Sequence, residues 1–173
     1  QRQVVMYDRQ LPEPRLTAWL AERDGLLESL PALGELQRLL SARYALPPDE
    51  RVSASTRALS CAACRAGTCP RPLNTLGLNL YRDGNDSVAW HADRNGRWHR
   101  DPIVALVSLG SPRMFRVRRA PNARSGAHHP APSFLLGPGD LLVMGGACQH
   151  DWEHCVPKVA HAGPRISVVF RHG

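Results

Sequence analysis

From Asn74 to Arg171 the chain breaks into short apolar runs that alternate with polar residues and stop at turn signals. Leu76, Leu78 and Leu80 alternate ahead of Arg82-Asp83-Gly84-Asn85, and Ile103 to Leu109 is a mostly apolar run closed by Gly110. Met114 to Arg118, Leu141 to Met144, and Ile166, Val168 and Phe170 repeat the pattern. A period of two sends successive side chains to opposite faces of a strand, so each run offers one apolar face. Several short strands with turns between them bury such faces by packing sheet on sheet, which predicts a sandwich or jelly roll. Ahead of them, Leu16, Trp19 and Leu20 follow Pro12 and Pro14 at helical spacing. After Ser29, Leu33, Leu36, Leu39, Leu40 and Tyr44 form a second helical stripe. The expectation is an α+β fold, a sandwich or jelly-roll core with N-terminal helices packed on one face.

A chain of 173 residues, 43% of them hydrophobic, buries one full core. The reading is one domain over 1–173: a helical support and lid at 1–45, a loop or insertion at 46–73, and the core at 74–173. The middle segment carries Pro47-Pro48, Pro70, Pro72 and three cysteines without clean periodicity. No apolar run approaches the roughly 18 residues that span a bilayer, and the N-terminus lacks a secretory apolar stretch. Five cysteines, an odd number with three bunched together, do not form a secreted disulfide framework. A monomer in a reducing cytoplasm is expected. Cys61, Cys64 and Cys69 read first as free thiols in a loop, and would hold a structural zinc only if His99, His128, His129 or another cysteine completed a tetrahedral site.

The net charge of +7 points to an anionic partner. Of 22 basic residues only Lys158 is lysine, and arginine forks match phosphate and stack on bases, so the expected partner is nucleic acid, the alternative being a merely soluble basic surface whose arginine bias comes from GC-rich codons. Phe115 and Val117 are interleaved with Arg113, Arg116 and Arg118, and Arg119 follows. One face of that strand packs inward and the other offers phosphate a basic rim.

The chemistry-bearing residues are His91-Ala92-Asp93, a later histidine, and the strand Arg165 to Arg171. Positions i and i+2 of a strand share a face, so His91 and Asp93 can grip one ion. Two histidines and a carboxylate form the facial triad of non-haem Fe(II) oxygenases, which leaves positions open for O₂ and a co-substrate. The chain holds a second such pair, His99-Arg100-Asp101, but in a polar segment, whereas His91 ends the apolar Ser87-Val88-Ala89-Trp90. His150 and His154 compete for the third ligand. On the last strand Arg165, Ser167, Val169 and Arg171 share a face. The two arginine Cα atoms lie about 20 Å apart, and their side chains leave a gap that a five-carbon diacid fills.

The run Leu78-Asn79-Leu80-Tyr81-Arg82-Asp83-Gly84-Asn85-Asp86-Ser87-Val88-Ala89-Trp90-His91-Ala92-Asp93 resembles the AlkB family of Fe(II)/2-oxoglutarate dioxygenases. So do Val107-Ser108-Leu109-Gly110, Gly139-Asp140-Leu141-Leu142-Val143-Met144 and Pro164-Arg165-Ile166-Ser167-Val168-Val169-Phe170-Arg171, all in the family's order. Met6-Tyr7 and Glu13-Pro14-Arg15-Leu16 are similar to the N-terminal lids of some members. The resemblance implies a double-stranded β-helix (jelly-roll) core under the helices, with iron on His91, Asp93 and His154, choosing His91 over His99 and His154 over His150. Asn79 and Tyr81 match an Asn-x-Tyr that helps bind 2-oxoglutarate, and Arg165 and Arg171 match the arginines that pair with its carboxylates. The implied reaction uses O₂ to demethylate an N-alkylated base in DNA or RNA, releasing formaldehyde, succinate and CO₂. The same fold acting on a protein or small molecule, or binding nucleic acid without catalysis, is the alternative.

Departures from the family pattern fall at three places. Ser167 and Val169 stand where the last motif usually has Asn and Thr; Ser167 still hydrogen-bonds, with shorter reach, and Val169 does not. Asn95 replaces an acid two residues after the metal aspartate, which removes a favourable charge for a cationic methylated base. Tyr7 and Trp19 are the aromatic candidates for stacking on a flipped base, Trp19 reading first as core.

Overall fold

The computed structural model describes residues 3–6, 9–12, 15–21, 29–44, 72–93, 102–121, 123 and 131–172. A hairpin comes first, β1 (Gln3–Met6) and β2 (Arg9–Pro12), paired antiparallel. The core is two antiparallel sheets. One has five strands in the order β3 (Leu16–Ala21), β4 (Thr75–Tyr81), β11 (Arg165–Arg171), β6 (Val104–Gly110), β9 (Leu141–Met144). The other has four: β5 (Val88–His91), β10 (Trp152–Val156), β7 (Arg113–Arg119), β8 (Ser133–Leu136). Two helices complete the described elements, α1 (Pro31–Tyr44) and the short α2 (Cys148–Asp151). Among the described residues no helix is long and apolar enough to cross a membrane.

Side-chain alternation builds the interior. Tyr81, Val104, Leu106, Phe115, Leu136, Met144, Val156 and Val169 bury against one another from strands of both sheets. The opposite face of the five-stranded sheet contributes Leu76, Ala105, Val168 and Phe170 to a second cluster, covered by Leu33, Leu36, Leu40 and Tyr44 of α1. β11 belongs to both clusters because its odd positions face the other sheet and its even positions face outward. Its neighbours lock its register, Arg165 opposite Tyr81 and Ser167 opposite Asn79 on β4, with Ser167 opposite Ser108 on β6.

α1 begins on Pro31, whose missing N–H costs nothing in the first helical turn. Its buried stripe runs 33, 36, 40, 44, a helical spacing of three and four. Leu39 belongs to the flank and is half exposed, because it stands one residue round from that stripe.

The expected helix at Leu16, Trp19 and Leu20 is instead strand β3. Those spacings suit a helix locally, but the segment lies along the edge of β4 and pairs with it from Leu16↔Leu80 to Ala21↔Thr75. A ladder along an open edge satisfies every second backbone group, which local propensity does not outweigh. The N-terminal part therefore contributes one described helix to the outer face. β8 and β10 lie outside the alternating runs above; in β10 (Trp-Glu-His-Cys-Val) only the last three residues are buried, a signal too short to stand out.

Candidate active site

β5 and β10 run side by side with His91 directly opposite His154. Their rings sit 4.3 Å apart between centroids. Asp93 follows two residues after His91, and His154 Nε2 lies 4.0 Å from its Oδ2. The ligand atoms of His91, Asp93 and His154 all fall within 4.8 Å of one another, and among the described residues this is the group of three able to hold a metal. His150, on α2, is not part of it. His99 and Asp101 lie outside the described residues.

Each ligand is held by a partner. His91 Nδ1–H donates to the Ala89 carbonyl at 2.8 Å, which leaves Nε2 to present its lone pair. Phe115 stacks on the His154 ring at 5.1 Å. Burial, and after it the neighbouring His91, lowers the pKa of His154 to about 4. The ring is therefore neutral near pH 7, the form that ligates metal. Asp93 Oδ1 accepts from Arg171 at 3.1 Å, leaving Oδ2 toward the histidines. The Asp93 backbone N–H donates to Oε1 of Gln149, which is wholly buried at 0% exposure.

Sequence reasoning missed Gln149, since an isolated amide after a glycine turn carries no signal. Loss of an outer partner of this kind typically weakens metal binding 10- to 100-fold. Gln149→Leu is accordingly expected to lower Fe(II) affinity by at least about tenfold. Gln149→Glu, which still accepts from the Asp93 N–H, should stay within about threefold on the same grounds. Equal titration curves for wild type and the leucine variant would remove the role.

A cavity of about 630 Å³ opens between the sheets, walled by the three ligands together with Arg15, Trp19, Asn79, Tyr81, Ser167 and Arg171 among others. Apolar side chains, Val104, Leu106, Met144 and Val169 among them, line the rest. Asn79 Nδ2 donates to Ser167 Oγ at 3.3 Å, and its Oδ1 accepts from Arg15 Nε at 2.9 Å. Ser167, in the place where the family usually has Asn, thus remains part of a polar chain, and Val169 packs in the core. Arg15, in the segment similar to the family's lids, stands at the cavity wall.

Arg165 lies behind Tyr81. It is 1% exposed, its Nε donates to Ser108 Oγ at 3.0 Å, and both terminal nitrogens are buried without a hydrogen-bond partner. Its carbon Cζ stands 5.1 Å from the Tyr81 ring centroid. A buried guanidinium with two unsatisfied donors is costly unless an anion completes it. The residues present therefore fit a carboxylate-bearing co-substrate beside a metal held by two histidines and a carboxylate, the donor set of non-haem iron oxygenases.

Trp19 is not core. It is 42% exposed at the cavity, packed across Gly77 and 4.0 Å above the Arg171 guanidinium carbon. A Cβ at position 77 would collide with the indole, so glycine there is what lets Trp19 lie flat against β4.

Arg113 is not on the rim. It is buried on the inner face of β7 and donates to the carbonyls of Asp83, Asp86 and Pro157. Arg113 shares the parity of Phe115, so the alternation that buries the ring buries the arginine. Arg116 is exposed on the outer face. Arg118 spends its charge on Glu153 at 2.7 Å and lies over Trp90, and Arg119 approaches Asp151 at 3.9 Å. The basic strand is thus partly neutralised. Tyr7, Asn95, His128, His129 and the zinc candidates Cys61, Cys64 and Cys69 lie outside the described residues.

A family model described as the 2OG-Fe(II) oxygenase superfamily matches residues 29–171. The chain is 33% identical to the human "Alpha-ketoglutarate-dependent dioxygenase alkB homolog 3", over 99% of this chain and 56% of that protein. It is 42% identical to the Bos taurus protein of the same name over 57% of this chain and 36% of that one. To "DNA oxidative demethylase ALKBH2" of Arabidopsis thaliana it is 38% identical, over 57% and 37% respectively. The chain belongs to the AlkB family within the 2OG-Fe(II) oxygenase superfamily. It spans about half or less of the length of these relatives.

Proposed function

We propose that this chain catalyses Fe(II)- and 2-oxoglutarate-dependent oxidative demethylation of N-alkylated bases in nucleic acid, releasing formaldehyde, succinate and CO₂. The observation that carries the reading is that the three metal ligands line one cavity whose wall residue Tyr81 backs onto the buried, unsatisfied guanidinium of Arg165. His91, Asp93 and His154 would hold the iron. Arg165 would take one carboxylate of 2-oxoglutarate, with Arg171, Asn79, Tyr81 and Ser167 around the rest of the molecule. Iron and 2-oxoglutarate, when bound, supply O₂ activation coupled to decarboxylation of the keto acid.

The chain's own residues do the rest. Arg171 orients the metal carboxylate through Oδ1, and the Ala89 carbonyl orients His91. Val104, Leu106, Met144 and Val169 exclude water from the reacting face. Trp19 at the mouth is a stacking surface for a base turned out of its helix, a step that is easier where alkylation has weakened pairing. Tyr7, Asn95 and Arg116 remain the further substrate contacts of this reading. The relatives' names and the +7 charge support nucleic acid as the substrate class. One copy of the chain supplies every group invoked.

The test is release of formaldehyde and succinate, in equal amounts, from oligonucleotides carrying different N-methylated bases in DNA and RNA. Activity should vanish in His154→Ala and fall steeply with salt, because phosphate binding does. Succinate formed without formaldehyde from any methylated base would turn the reading toward a protein or small-molecule substrate. Nucleic-acid binding without any 2-oxoglutarate consumption would turn it toward a non-catalytic binder.

A further inference from the structure

Arg113 reaches neither the cavity nor solvent, being 2% exposed. Its Nη1 donates to the Asp83 carbonyl at 2.9 Å, and its Nη2 to those of Asp86 at 2.8 Å and Pro157 at 2.7 Å. All three acceptors are neutral. The nearby carboxylate of Asp86 is matched by Arg82, which donates to it from its backbone N–H and from Nε and Nη2 at 2.8–2.9 Å. Arg113 therefore contributes a buried positive charge that the carboxylates of Asp86 and Asp83 attract from a distance, with its described hydrogen bonds going to neutral carbonyls.

That charge stands beside the co-substrate end of the cavity. Arg113 Cζ is 5.6 Å from the centroid of the Tyr81 ring, and Arg165 Cζ is 5.1 Å from the same centroid. Two buried guanidinium groups share one phenol ring. Cation–π attraction offsets part of their desolvation, but like charges this close still repel. Burial lowers the pKa of both guanidinium groups, and Arg113 adds a smaller lowering at Arg165. An anion with charge to spare at Arg165 relieves both at once. The three carbonyl bonds also tie the β4–β5 turn and the β10–β11 connection to β7, which fixes the end of β4 that carries Tyr81.

We propose that Arg113 is a positioning residue for the co-substrate, raising affinity for a dicarboxylate through its charge and through the Tyr81 ring it holds beside Arg165. The inference rests on the 2-oxoglutarate reading above. It assigns no contact with the ligand to Arg113. A unit charge at such a remove in a protein interior changes carboxylate binding by about tenfold.

Two substitutions separate charge from scaffolding. Arg113→Lys and Arg113→Gln each keep a donor for the carbonyls, but only lysine keeps the charge. Calorimetric titration of 2-oxoglutarate into the Fe(II)-loaded protein without oxygen is expected to show the glutamine variant weakened about tenfold and the lysine variant within about threefold of wild type. Their ligand-free melting temperatures should agree with each other. Equal losses in both variants, or wild-type affinity in Arg113→Gln, would overturn the inference while leaving the co-substrate reading in place. Absence of 2-oxoglutarate binding in the wild type would remove both.

Discussion

Asp93→Ala is expected to abolish Fe(II) binding and to lower stability as well, whereas His91→Ala abolishes metal binding at much smaller cost to the fold. The difference lies in what each ligand leaves behind. His91 is half-buried, and its only described hydrogen bond is to the Ala89 carbonyl two residues away. Asp93 is the counter-ion of Arg171, whose side chain is buried against it at 3.1 Å. Removing one member of a buried pair strands the other charge and costs about 3–5 kcal/mol. For a domain of this size 3 kcal/mol corresponds to roughly 6–12 °C in melting temperature. Asp93→Asn keeps an acceptor for Arg171 without its charge, and should fall between the two in stability. Metal titration and calorimetry on all three variants decide the matter. Equal melting temperatures for the alanine variants would show that the Arg171 pair contributes nothing.

Arg165→Met should behave in the opposite way. 2-Oxoglutarate affinity is expected to fall at least about 30-fold, since losing one partner of a buried charge-assisted pair costs about 2–5 kcal/mol. The ligand-free protein should be as stable as wild type, or more so. Arg165 is fully buried with both terminal nitrogens unsatisfied, and its one described hydrogen bond runs from Nε to Ser108. A methionine of similar length removes a desolvated charge and fills the same space with apolar atoms. Loss of affinity with stability held is the signature of a residue whose charge serves the ligand. A large drop in the ligand-free melting temperature would instead make Arg165 part of the scaffold.

Much of the site was legible because its residues lie on strands with clean alternation. Arg165, Ser167 and Arg171 share a face of β11 by period two alone, and Asn79 and Tyr81 share a face of β4. The order of the motifs pointed to His154 rather than His150. Arg113 was misplaced for a physical reason: composition argued that an arginine beside others seeks solvent, while parity placed it with Phe115. Parity prevailed because three carbonyls inside the fold were free to receive its donors.

Trp19 was misplaced for a related reason. Its spacing with Leu16 and Leu20 fits a helix, and nothing within the segment records that the edge of β4 stands open to pair with it. Local order therefore belongs to the residue pattern: strands β4, β6, β7, β9 and β11, the stripe of α1, and which side chains share a face. The meeting of His91 with His154, 63 positions along, belongs to the tertiary structure, as do the cage around Arg113 and the pairing of β3. Periodicity is set by neighbours a few bonds away. Which strand lies beside which is set by the burial of whole faces and the pairing of backbone groups across long loops.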